Sequence, residues 1–317
     1  MIVSKTPLRI SIGGGGSDLP EFYEKMGGFV FSAAITKYIY VAVHNPYDDK
    51  ITLKYSNIEV VDNIEDIKHG LIREILKDVG HTGGIEIASF ADLPSRSGLG
   101  SSGAFAVGLR STFCDRYHRN KTKLAECAYD IERNKLGLPI GKQDPYIATF
   151  GGLSAFAIET DGKVKVHRLP INKDLENNLL LFYTGIQRDA NTVLTGMADD
   201  MKSKSSSCIN MLRIRELGQK IFEAVKVGNI TQVGIIFDEH WKYKKLMSNK
   251  ISSPKFDKIY DEAKRQGALG GKITGAGSGG HFLFYKEENH EKFIQEMEKT
   301  GLKHIDFEFD IKGNTIL

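Results

Sequence analysis

Three glycine-rich segments, far apart along the chain, constrain the fold of this protein most. They are GGGGSD at residues 13–18, GLGSSGA at 98–104 and GGKITGAGSGG at 270–280. Each adjoins a predicted strand or helix end, where a backbone without side chains can approach a ligand closely. One such segment alone would favour an ordinary turn. Three of them in one chain indicate places where the backbone approaches a ligand closely.

The middle segment, within PSRSGLGSSGAFAVGLRS, passes directly from a hydroxyl-rich loop into a helix pattern. A helix N-terminus offers unpaired N–H groups and a positive dipole end, which favours a phosphate site over a plain turn. A Walker A loop is excluded, because GLPIGKQ and GALGGKI have the wrong spacing and lack a hydroxyl after the lysine. GLGSSG matches the Rossmann pattern, but four predicted strands precede it and no acidic residue ends a following strand, which disfavours a dinucleotide site.

Size and composition predict a globular protein with two domains. The chain has 317 residues, of which 41% are hydrophobic and 26% charged, and its net charge of +3 is too small to indicate nucleic acid. The cysteines, Cys114, Cys127 and Cys208, show no metal or disulfide spacing. No apolar run approaches the ~20 residues of a membrane span. We therefore expect a cytoplasmic protein without a nucleic-acid or membrane partner; the sequence does not indicate an oligomeric state.

Hydrophobic patterning predicts an α+β chain with strands and helices in both halves. In the first half we expect strands in LRISI, GFVFSAAITKYIYVAVH, KITLKYS, GIEIASFADLP and the pair GGLSAFAIET and KVKVHRLP. Helices are expected in DIKHGLIREILKDVG, over about 102–117 and in KTKLAECAYDIERNKLG. The second half begins with the strand NLLLFYTG and continues through helices over about 199–226 and 230–247. We place the domain boundary between 1–168 and 169–317.

The three segments resemble, in order and spacing, the three motifs of the GHMP kinases, the superfamily of galactokinase, homoserine kinase, mevalonate kinase and phosphomevalonate kinase. PLRISIGGGGSD resembles the N-terminal motif, PSRSGLGSSGAFAVG the central ATP-binding motif, and GKITGAGSGGHFLF the C-terminal motif. The resemblance spans essentially the whole chain. It implies an N-terminal domain like ribosomal protein S5 domain 2, a ferredoxin-like C-terminal domain, and an active site in the cleft between them.

Within this superfamily, TPLRISIGGGGSDLPEFYEKMGGFVFSAAITKYIYV, LLLFYTGIQRDA and HWKYKK are similar to the D-glycero-D-manno-heptose 7-phosphate kinases and related sugar 1-kinases. This resemblance implies a kinase that uses ATP and Mg²⁺ to phosphorylate the anomeric hydroxyl of a sugar phosphate, here to a 1,7-bisphosphate. Two alternatives remain open. A kinase of another sugar, such as fucose, would share the catalytic residues, and a non-catalytic sugar sensor would share the fold.

The resemblance assigns the nucleotide to the central motif, where backbone N–H groups would hold the β- and γ-phosphates. It also implies that Ser102 and Glu132 bind Mg²⁺. Glu132 shares a helical stripe with Ala125 and Ala128, so we expect its side chain to face packed structure. The plainer interpretations are N-capping for the serines and a surface ion pair with Arg133 for the glutamate. The expected nucleotide-binding residues are Ser97, Gly98, Leu99, Gly100, Ser101, Ser102 and Gly103.

The catalytic residues implied by the resemblance are Asp144 and Arg9. Asp144, in GKQDPY, corresponds to the catalytic aspartate of galactokinases, although Pro145 follows it in place of glutamine. It would accept the proton of the sugar hydroxyl or orient that hydroxyl for in-line attack. Arg9 aligns with the basic residue of the first motif and would favour the ionised aspartate. The plainer interpretations are a turn aspartate before proline and a solvated strand arginine.

Sugar recognition is expected at the first and third segments. Asp18 matches the aspartate that grips sugar hydroxyls in galactokinases. Their neighbouring glutamate and histidine are replaced here by Gly15 and Gly16, which implies a roomier pocket. Gly275 and Gly277 of the third segment are expected to shape the same site.

A phosphate on the sugar requires a cationic partner. Arg188 in TGIQRDA is the first candidate for this partner. Lys242, Lys244 and Lys245 in HWKYKK are further candidates, although a lysine run is more typical of a solvated helix face.

Overall fold

The computed structural model describes residues 1–113, 120–187, 190–203 and 205–317. Its strands are β1 (Ile2–Gly13), β2 (Gly28–His44), β3 (Ile51–Lys54), β4 (Ile58–Val61), β5 (Ile85–Ala91), β6 (Leu153–Ile158), β7 (Val164–Leu169), β8 (Leu179–Tyr183), β9 (Gly270–Ile273), β10 (His281–Tyr285), β11 (Lys303–Ile305) and β12 (Thr315–Ile316). Its helices are α1 (Pro20–Met26), α2 (Gly70–Asp78), α3 (Ser101–Ser111), α4 (Lys121–Asp130), α5 (Gln143–Phe150), α6 (Lys173–Asn178), α7 (Ala190–Ser203), α8 (Ser205–Lys226), α9 (Thr231–Leu246), α10 (Pro254–Arg265) and α11 (His290–Lys299). A 3₁₀ turn covers Ile64–Asp66, and a π turn, Ile131–Lys135, continues α4.

The larger sheet is organised around β2, a 17-residue strand rich in β-branched and aromatic residues. From Phe31 to Val43 it pairs antiparallel with β1, while its first part, from Gly28 to Ala33, pairs with β6 and its last part, from Ile39 to His44, pairs with β5. The main path runs β12-β1-β2-β5-β3-β4, with β7 beyond β6. The long strand predicted from GFVFSAAITKYIYVAVH is therefore a single element that joins both arms of the sheet.

Helix α3 packs closely on this sheet. A Cβ at Gly108 would lie 2.8 Å from Thr6 Oγ1 on β1, so glycine is what lets the helix backbone approach the strand. This close approach sets the N-terminus of α3, and with it the central glycine-rich loop, beside β1. The core of this half includes Leu8, Ile10, Phe31, Val41, Ile87 and Leu109, each at most 1% exposed.

The smaller sheet has the strand order β11-β8-β10-β9, with antiparallel neighbours throughout. When the four strands of this sheet are numbered in chain order, their spatial order is fourth, first, third, second. Helices follow the first and the third of these strands. This is the ferredoxin-like arrangement that was expected for the C-terminal half. Its core is aromatic, with Phe282 and Phe284 stacked at 5.1 Å between ring centroids and Trp241 beside them.

The end of the chain returns to the larger sheet. After β11, Phe309 forms a bridge to Ile35, and β12 pairs with β1. The chain therefore passes between the two sheets twice, once over residues 169–179 and once over 305–309. The two passages touch, because the N–H of Phe309 donates to Oε2 of Glu176 at 2.6 Å. The domain boundary at residue 168 stays a prediction.

Several predicted helices differ in their bounds. The helix expected from about 102 begins at Ser101 and ends at Ser111, and the rest of its expected range, 114–119, lies outside the described residues. The helix expected over about 199–226 corresponds to two helices. The first, α7, begins earlier, at Ala190, and α8 covers Ser205–Lys226. Within the described part of the chain, no helix is both long enough and apolar enough to cross a membrane.

Candidate active site

Arg9 on β1 and Asp144 on α5 form an ion pair at the centre of the site. Arg9 is 5% exposed, and its Nε and Nη2 approach Oδ1 of Asp144 at 2.8 and 2.7 Å. Its Nη1 donates to the carbonyl oxygen of Gly98 at 2.6 Å, which ties the central loop to the pair. Among the described residues, none hydrogen-bonds Oδ2 of Asp144, so this oxygen is available to a ligand. Arg9 is not the solvated strand residue of the plainer interpretation.

The central loop wraps around this pair because it lacks side chains at two positions. Gly100 has φ +74°, and a Cβ there would lie 3.1 Å from Arg9 Cγ and 3.2 Å from Asp144 Cγ. A Cβ at Gly103 would lie 2.8 Å from Asp144 Cβ. The first N–H groups of α3 have no partner within the helix, and they adjoin the Arg9–Asp144 pair. The loop thus combines a helix N-terminus, suited to phosphate, with an aspartate suited to proton transfer.

Ser102 and Glu132 meet beside this helix N-terminus, where the Ser102 hydroxyl donates to Oε1 of Glu132. Glu132 is 1% exposed, and its Oε2 is buried without a hydrogen-bond partner among the described residues. Burial raises the pKa of Glu132 to about 7; the Ser102 hydroxyl opposes this shift, and the charge of Asp144 adds to it. Glu132 lies in the π turn, a local irregularity that is frequent at functional sites. The Arg133 guanidinium pairs with Glu21 at 2.7 Å and not with Glu132, so the plainer interpretation of Glu132 is wrong.

The Ser102 and Glu132 side chains fit a magnesium ion. A buried carboxylate without a positive partner is costly, and its unpartnered Oε2 is a ready ligand. Mg²⁺ is commonly bound by one or two protein oxygen groups, with water and substrate phosphates completing its shell. Within the described residues, no cluster of three or more His, Cys, Asp or Glu side chains could hold a metal by itself. A metal here would therefore be shared with the phosphates of a nucleotide.

Asp18 lies in the first glycine-rich segment and caps α5. Its Oδ2 accepts the N–H of Gln143 at 2.9 Å, and its Oδ1 accepts the N–H of Gly16 at 3.0 Å. Burial raises the pKa of Asp18, the two N–H groups oppose this, and the charge of Asp144 adds to it. A Cβ at Gly141 would lie 2.0 Å from Oδ2, so this contact requires glycine there. The capping contact brings Asp18 and Asp144 to the same end of α5.

A single cleft between the two sheets is lined by Arg9, Asp18 and Asp144 on one side and by Lys244 and Lys272 on the other. Lys244 on α9 donates to the carbonyl oxygens of residues 273 and 275 at 2.7 and 2.6 Å. Lys272 on β9 donates to the carbonyl oxygen of residue 12 at 2.6 Å. Burial lowers the pKa of Lys244 to about 7 and that of Lys272 well below its ordinary value, and nearby positive charge adds to both shifts.

His240 completes this side of the cleft. Its Nε2 accepts the N–H of Gly14 at 3.3 Å, while its buried Nδ1 has no partner among the described residues. Burial, followed by the charges of Lys272 and Lys244, lowers the pKa of His240 well below its ordinary value. The ring is therefore a neutral support for the first glycine-rich segment.

The third glycine-rich segment packs directly on the central one. A Cβ at Gly275 would lie 2.8 Å from the Cα of Gly98, and a Cβ at Gly280 would lie 2.2 Å from the carbonyl oxygen of Ser97. His281 Nδ1 lies 2.8 Å from the same oxygen. Burial lowers the pKa of His281 to about 4, so the neutral ring donates its Nδ1–H to Ser97. The third and central segments therefore lie against each other, and residues of the first and third segments line the same cleft.

The structure brings most of the expected residues together. Arg9, Gly15, Gly16, Asp18, Asp144 and Gly275 line the cleft, and residues 97–103 and Glu132 adjoin the Arg9–Asp144 pair. Gly277 instead packs against Ile251 and is not part of the lining. Arg188 lies outside the described residues.

Of the three lysines in HWKYKK, only Lys244 lines the cleft. Lys242 pairs with Asp238 at 2.7 Å, and Lys245 pairs with Asp257 at 3.0 Å.

The cleft residues that sequence analysis did not single out include Gln143, His240 and Lys272. Gln143 Nε2 donates to the hydroxyls of Ser11 and Ser32 at 2.8 and 2.6 Å, which fixes the start of α5 against the larger sheet. Lys272 carried one usable signal, since it is a lysine inside an otherwise apolar, glycine-rich strand. Gln143 and His240 act through partners more than 100 residues away, which no local pattern reveals.

The C-terminal half is a ferredoxin-like lobe, and the cleft between the two sheets holds a glycine-rich helix N-terminus and a buried arginine paired with a half-buried aspartate. These features define a small-molecule kinase. Comparison with known proteins names its family. The family description "GHMP kinases N terminal domain" matches residues 66–152, and "GHMP kinases C terminal" matches residues 221–302. The chain belongs to the GHMP kinases and is a phosphotransferase.

Relatives match along nearly the whole chain. A D-glycero-alpha-D-manno-heptose 7-phosphate kinase of Campylobacter jejuni is 30% identical over 98% of this chain and 97% of its own. A galactokinase of Pyrococcus furiosus is 25% identical, with 92% and 91% covered.

Solved structures show the same fold. A D-glycero-D-manno-heptose 1-phosphate kinase of Bacteroides thetaiotaomicron superposes with a TM-score of 0.82, at 23% identity over 100% of this chain and 99% of that one. A Lactococcus lactis galactokinase complexed with galactose gives 0.79, at 18% identity over 99% and 94%.

Proposed function

We propose that this protein transfers the γ-phosphoryl group of ATP to the anomeric hydroxyl of D-glycero-D-manno-heptose 7-phosphate, giving the 1,7-bisphosphate, in the cytoplasm. The Arg9–Asp144 pair beside the helix N-terminus is the observation that supports phosphoryl transfer as the reaction. The end-to-end match to a heptose 7-phosphate kinase, at 30% identity, supports the substrate.

Asp144 acts on the nucleophile. Arg9 occupies its Oδ1 twice, so Oδ2 accepts the proton of the anomeric hydroxyl or orients that hydroxyl toward the γ-phosphorus. The arginine also places its guanidinium beside the reacting phosphoryl group, because it bridges Asp144 and the carbonyl oxygen of Gly98. One buried cation thus positions the base and adds positive charge where the transition state carries negative charge.

The nucleotide phosphates are held at the start of α3. The N–H groups of residues 100–103 point to the β- and γ-phosphates, and the helix dipole favours their charge. Ser102 and Glu132 would hold Mg²⁺. The ion would supply positive charge that offsets the negative charge of the nucleotide phosphates.

The sugar occupies the cleft beside Asp18. With both carboxylate oxygens already bonded to backbone N–H groups, Asp18 is fixed in orientation and uses its remaining lone pairs on sugar hydroxyls. A Cβ at Gly15 would lie 2.9 Å from the Ser11 hydroxyl, so glycine there leaves Ser11 and Gln143 as polar lining. This open, polar wall supports a sugar larger than a hexose.

The test is a coupled ADP-release assay of the purified chain with Mg²⁺ and ATP. The substrates are D-glycero-D-manno-heptose 7-phosphate, the same heptose without phosphate, L-fucose and D-galactose. We expect the highest kcat/KM for the 7-phosphate, with an anomeric phosphate in the ³¹P NMR spectrum of the product. A higher kcat/KM for fucose would change the proposed substrate but leave the proposed reaction unchanged. Sugar binding without ADP release would identify a non-catalytic sugar sensor and refute the proposed kinase activity.

A further inference from the structure

Lys244 and Lys272 have no part in the phosphoryl transfer described above. Lys244 is 8% exposed and Lys272 is 1% exposed, although lysines are almost never buried without an anionic partner. Across the described part of the chain, neither ammonium contacts a carboxylate. Each ammonium has three donors. Lys244 uses two on carbonyl oxygens and Lys272 uses one, so both retain donors for a ligand.

The charge of the cleft lining is unbalanced around these lysines. Arg9 is already paired with Asp144, and Asp18 is bonded to two backbone N–H groups. The two ammonium groups therefore share a buried site with no anion committed to them. Burial lowers the pKa of both lysines, and the charge of Arg9 adds to both shifts, as does the charge of Lys244 to that of Lys272. A bound anion would favour the protonated form of each lysine, because a buried charge is costly unless an opposite charge compensates it.

The position of the lysines separates them from the nucleotide. They line the same cleft as Asp18 and Asp144, whereas Ser102 and Glu132 are outside that lining. Apolar side chains of α7 and α8, namely those of Leu194, Met197 and Ile214, also line this cleft. Charge-assisted hydrogen bonds to an anion are strongest in such surroundings.

We propose that Lys244 and Lys272 together bind the phosphate group of the sugar acceptor, while Asp18 and Asp144 engage its hydroxyls. This inference rests on the proposed function and deepens it, because it explains how the cleft would select a phosphorylated sugar. The γ-phosphate of ATP is the other phosphate that could reach the lysines, and the experiment separates the two.

The test compares Lys244→Met and Lys272→Met with the wild type. Methionine keeps the length of the side chain and removes its charge. Lys299→Met is the matched control, since Lys299 is an exposed lysine of the same half that pairs with Glu296 on α11. We expect the KM for heptose 7-phosphate to rise about 10- to 100-fold in each cleft variant. The KM for ATP and the kcat/KM for the unphosphorylated heptose should change less than about twofold, and the control should match the wild type throughout.

Two kinetic outcomes would overturn the proposal. An equal rise in KM for the phosphorylated and unphosphorylated sugars would mean that the lysines only support the cleft. A rise in the KM for ATP alone would assign them to the nucleotide. Circular dichroism and the melting temperature identify a variant that has lost its fold.

Calorimetry with inorganic phosphate, without ATP, tests the lysines independently of turnover. We expect the wild type to bind phosphate and both cleft variants to lose most of this binding. If no sugar is phosphorylated but this pattern is seen, the proposed function fails and the anion site stands. Phosphate binding that persists in both folded variants would refute the site.

Discussion

Arg9 places two donors, Nε and Nη2, on the same oxygen of Asp144, at 2.8 and 2.7 Å. The aspartate is thereby held through Oδ1 alone, and Oδ2 is the oxygen that can meet a substrate. A pair arranged in this way fixes where a proton would be received, because only one oxygen of the base is open to the cleft.

Asp144→Asn tests this arrangement. Asparagine keeps the shape of the side chain and an oxygen for Arg9, but it cannot accept a proton. We expect kcat to fall by about 10²–10⁴, while the affinity for ATP, measured with a fluorescent analogue, stays near the wild-type value. Asp161→Asn, at an aspartate that pairs with Lys163 on an exposed hairpin, is the control. A kcat close to the wild-type value in the Asp144 variant would remove this residue from the mechanism.

Glu132→Gln should lower the activity of the protein and raise its free energy of unfolding. The pKa of Glu132 is about 7 in the fold against an ordinary 4.5, so between these values the folded protein holds a proton that the unfolded chain releases. The free energy of unfolding therefore decreases as pH rises through this window, by roughly 3 kcal/mol. Glutamine does not titrate, so the metal-free, nucleotide-free variant should be the more stable protein at about pH 8. If Glu132 holds Mg²⁺ as proposed, the kcat of the variant should fall by about 100-fold or more.

Urea unfolding of the wild type and the Glu132→Gln variant over about pH 4.5–8 measures the change in the free energy of unfolding. The difference between their free energies of unfolding should grow as pH rises. A constant difference across the range would show that Glu132 is ionised in the free protein.

Gly103→Ala should displace Asp144, the proposed catalytic aspartate, by adding a side chain on the central loop. The new Cβ would lie 2.8 Å from Asp144 Cβ, so Asp144 must shift. We expect kcat to fall about tenfold or more, since small displacements of a base are costly. The matched control is Gly196→Ala on α7, whose Cβ would meet nothing within 4 Å. This control should gain about 0.5–1 kcal/mol in stability and keep its kcat. Equal kcat values in the two variants would contradict the close contact.

His281→Asn should reduce the sensitivity of the fold to acid. The pKa of His281 is about 4 in the fold against an ordinary 6.5, so below 6.5 the unfolded chain takes up a proton that the folded protein does not. Stability is therefore lost as pH falls from 6.5 through 4, by up to about 3 kcal/mol. Asparagine can still donate to the carbonyl oxygen of Ser97 but does not titrate. Thermal unfolding over this range should show a flatter pH dependence for the variant; parallel curves would show that His281 is not buried in its neutral form.

Sequence analysis predicted the parts of the site that lie in local motifs. The central loop and Asp18 belong to glycine-rich segments, Arg9 shortly precedes the first of them, and Asp144 lies in GKQDPY. Close approaches of the backbone require glycine in the central loop and at Gly141. The predicted burial of Glu132 is confirmed, because the spacing from Ala125 and Ala128 indicated the packed face of a helix. The π turn that carries Glu132 was not predicted, since an extra residue in a helical turn leaves no periodic signal.

The cationic side of the cleft could be predicted only in part. The lysine run in HWKYKK indicated a solvated face, which is correct for Lys242 and Lys245 and wrong for Lys244. Burial of Lys244 depends on helix α9 packing against β9, and burial of Lys272 depends on Ile12, which is 260 residues away in sequence. Such partners are set by the tertiary fold, so composition and spacing cannot indicate them.

The two adjacent passages between the sheets have a mechanical consequence. At the passages, the halves of the molecule are joined by two polypeptide segments that Glu176 and Phe309 hold side by side. Around the cleft, the halves meet through hydrogen bonds such as that from His281 to Ser97. A protease cut in one passage would therefore leave the halves covalently attached through the other. Within the described residues, only non-covalent contacts hold the halves together around the cleft, whereas two covalent passages hold them together on the side of Glu176 and Phe309.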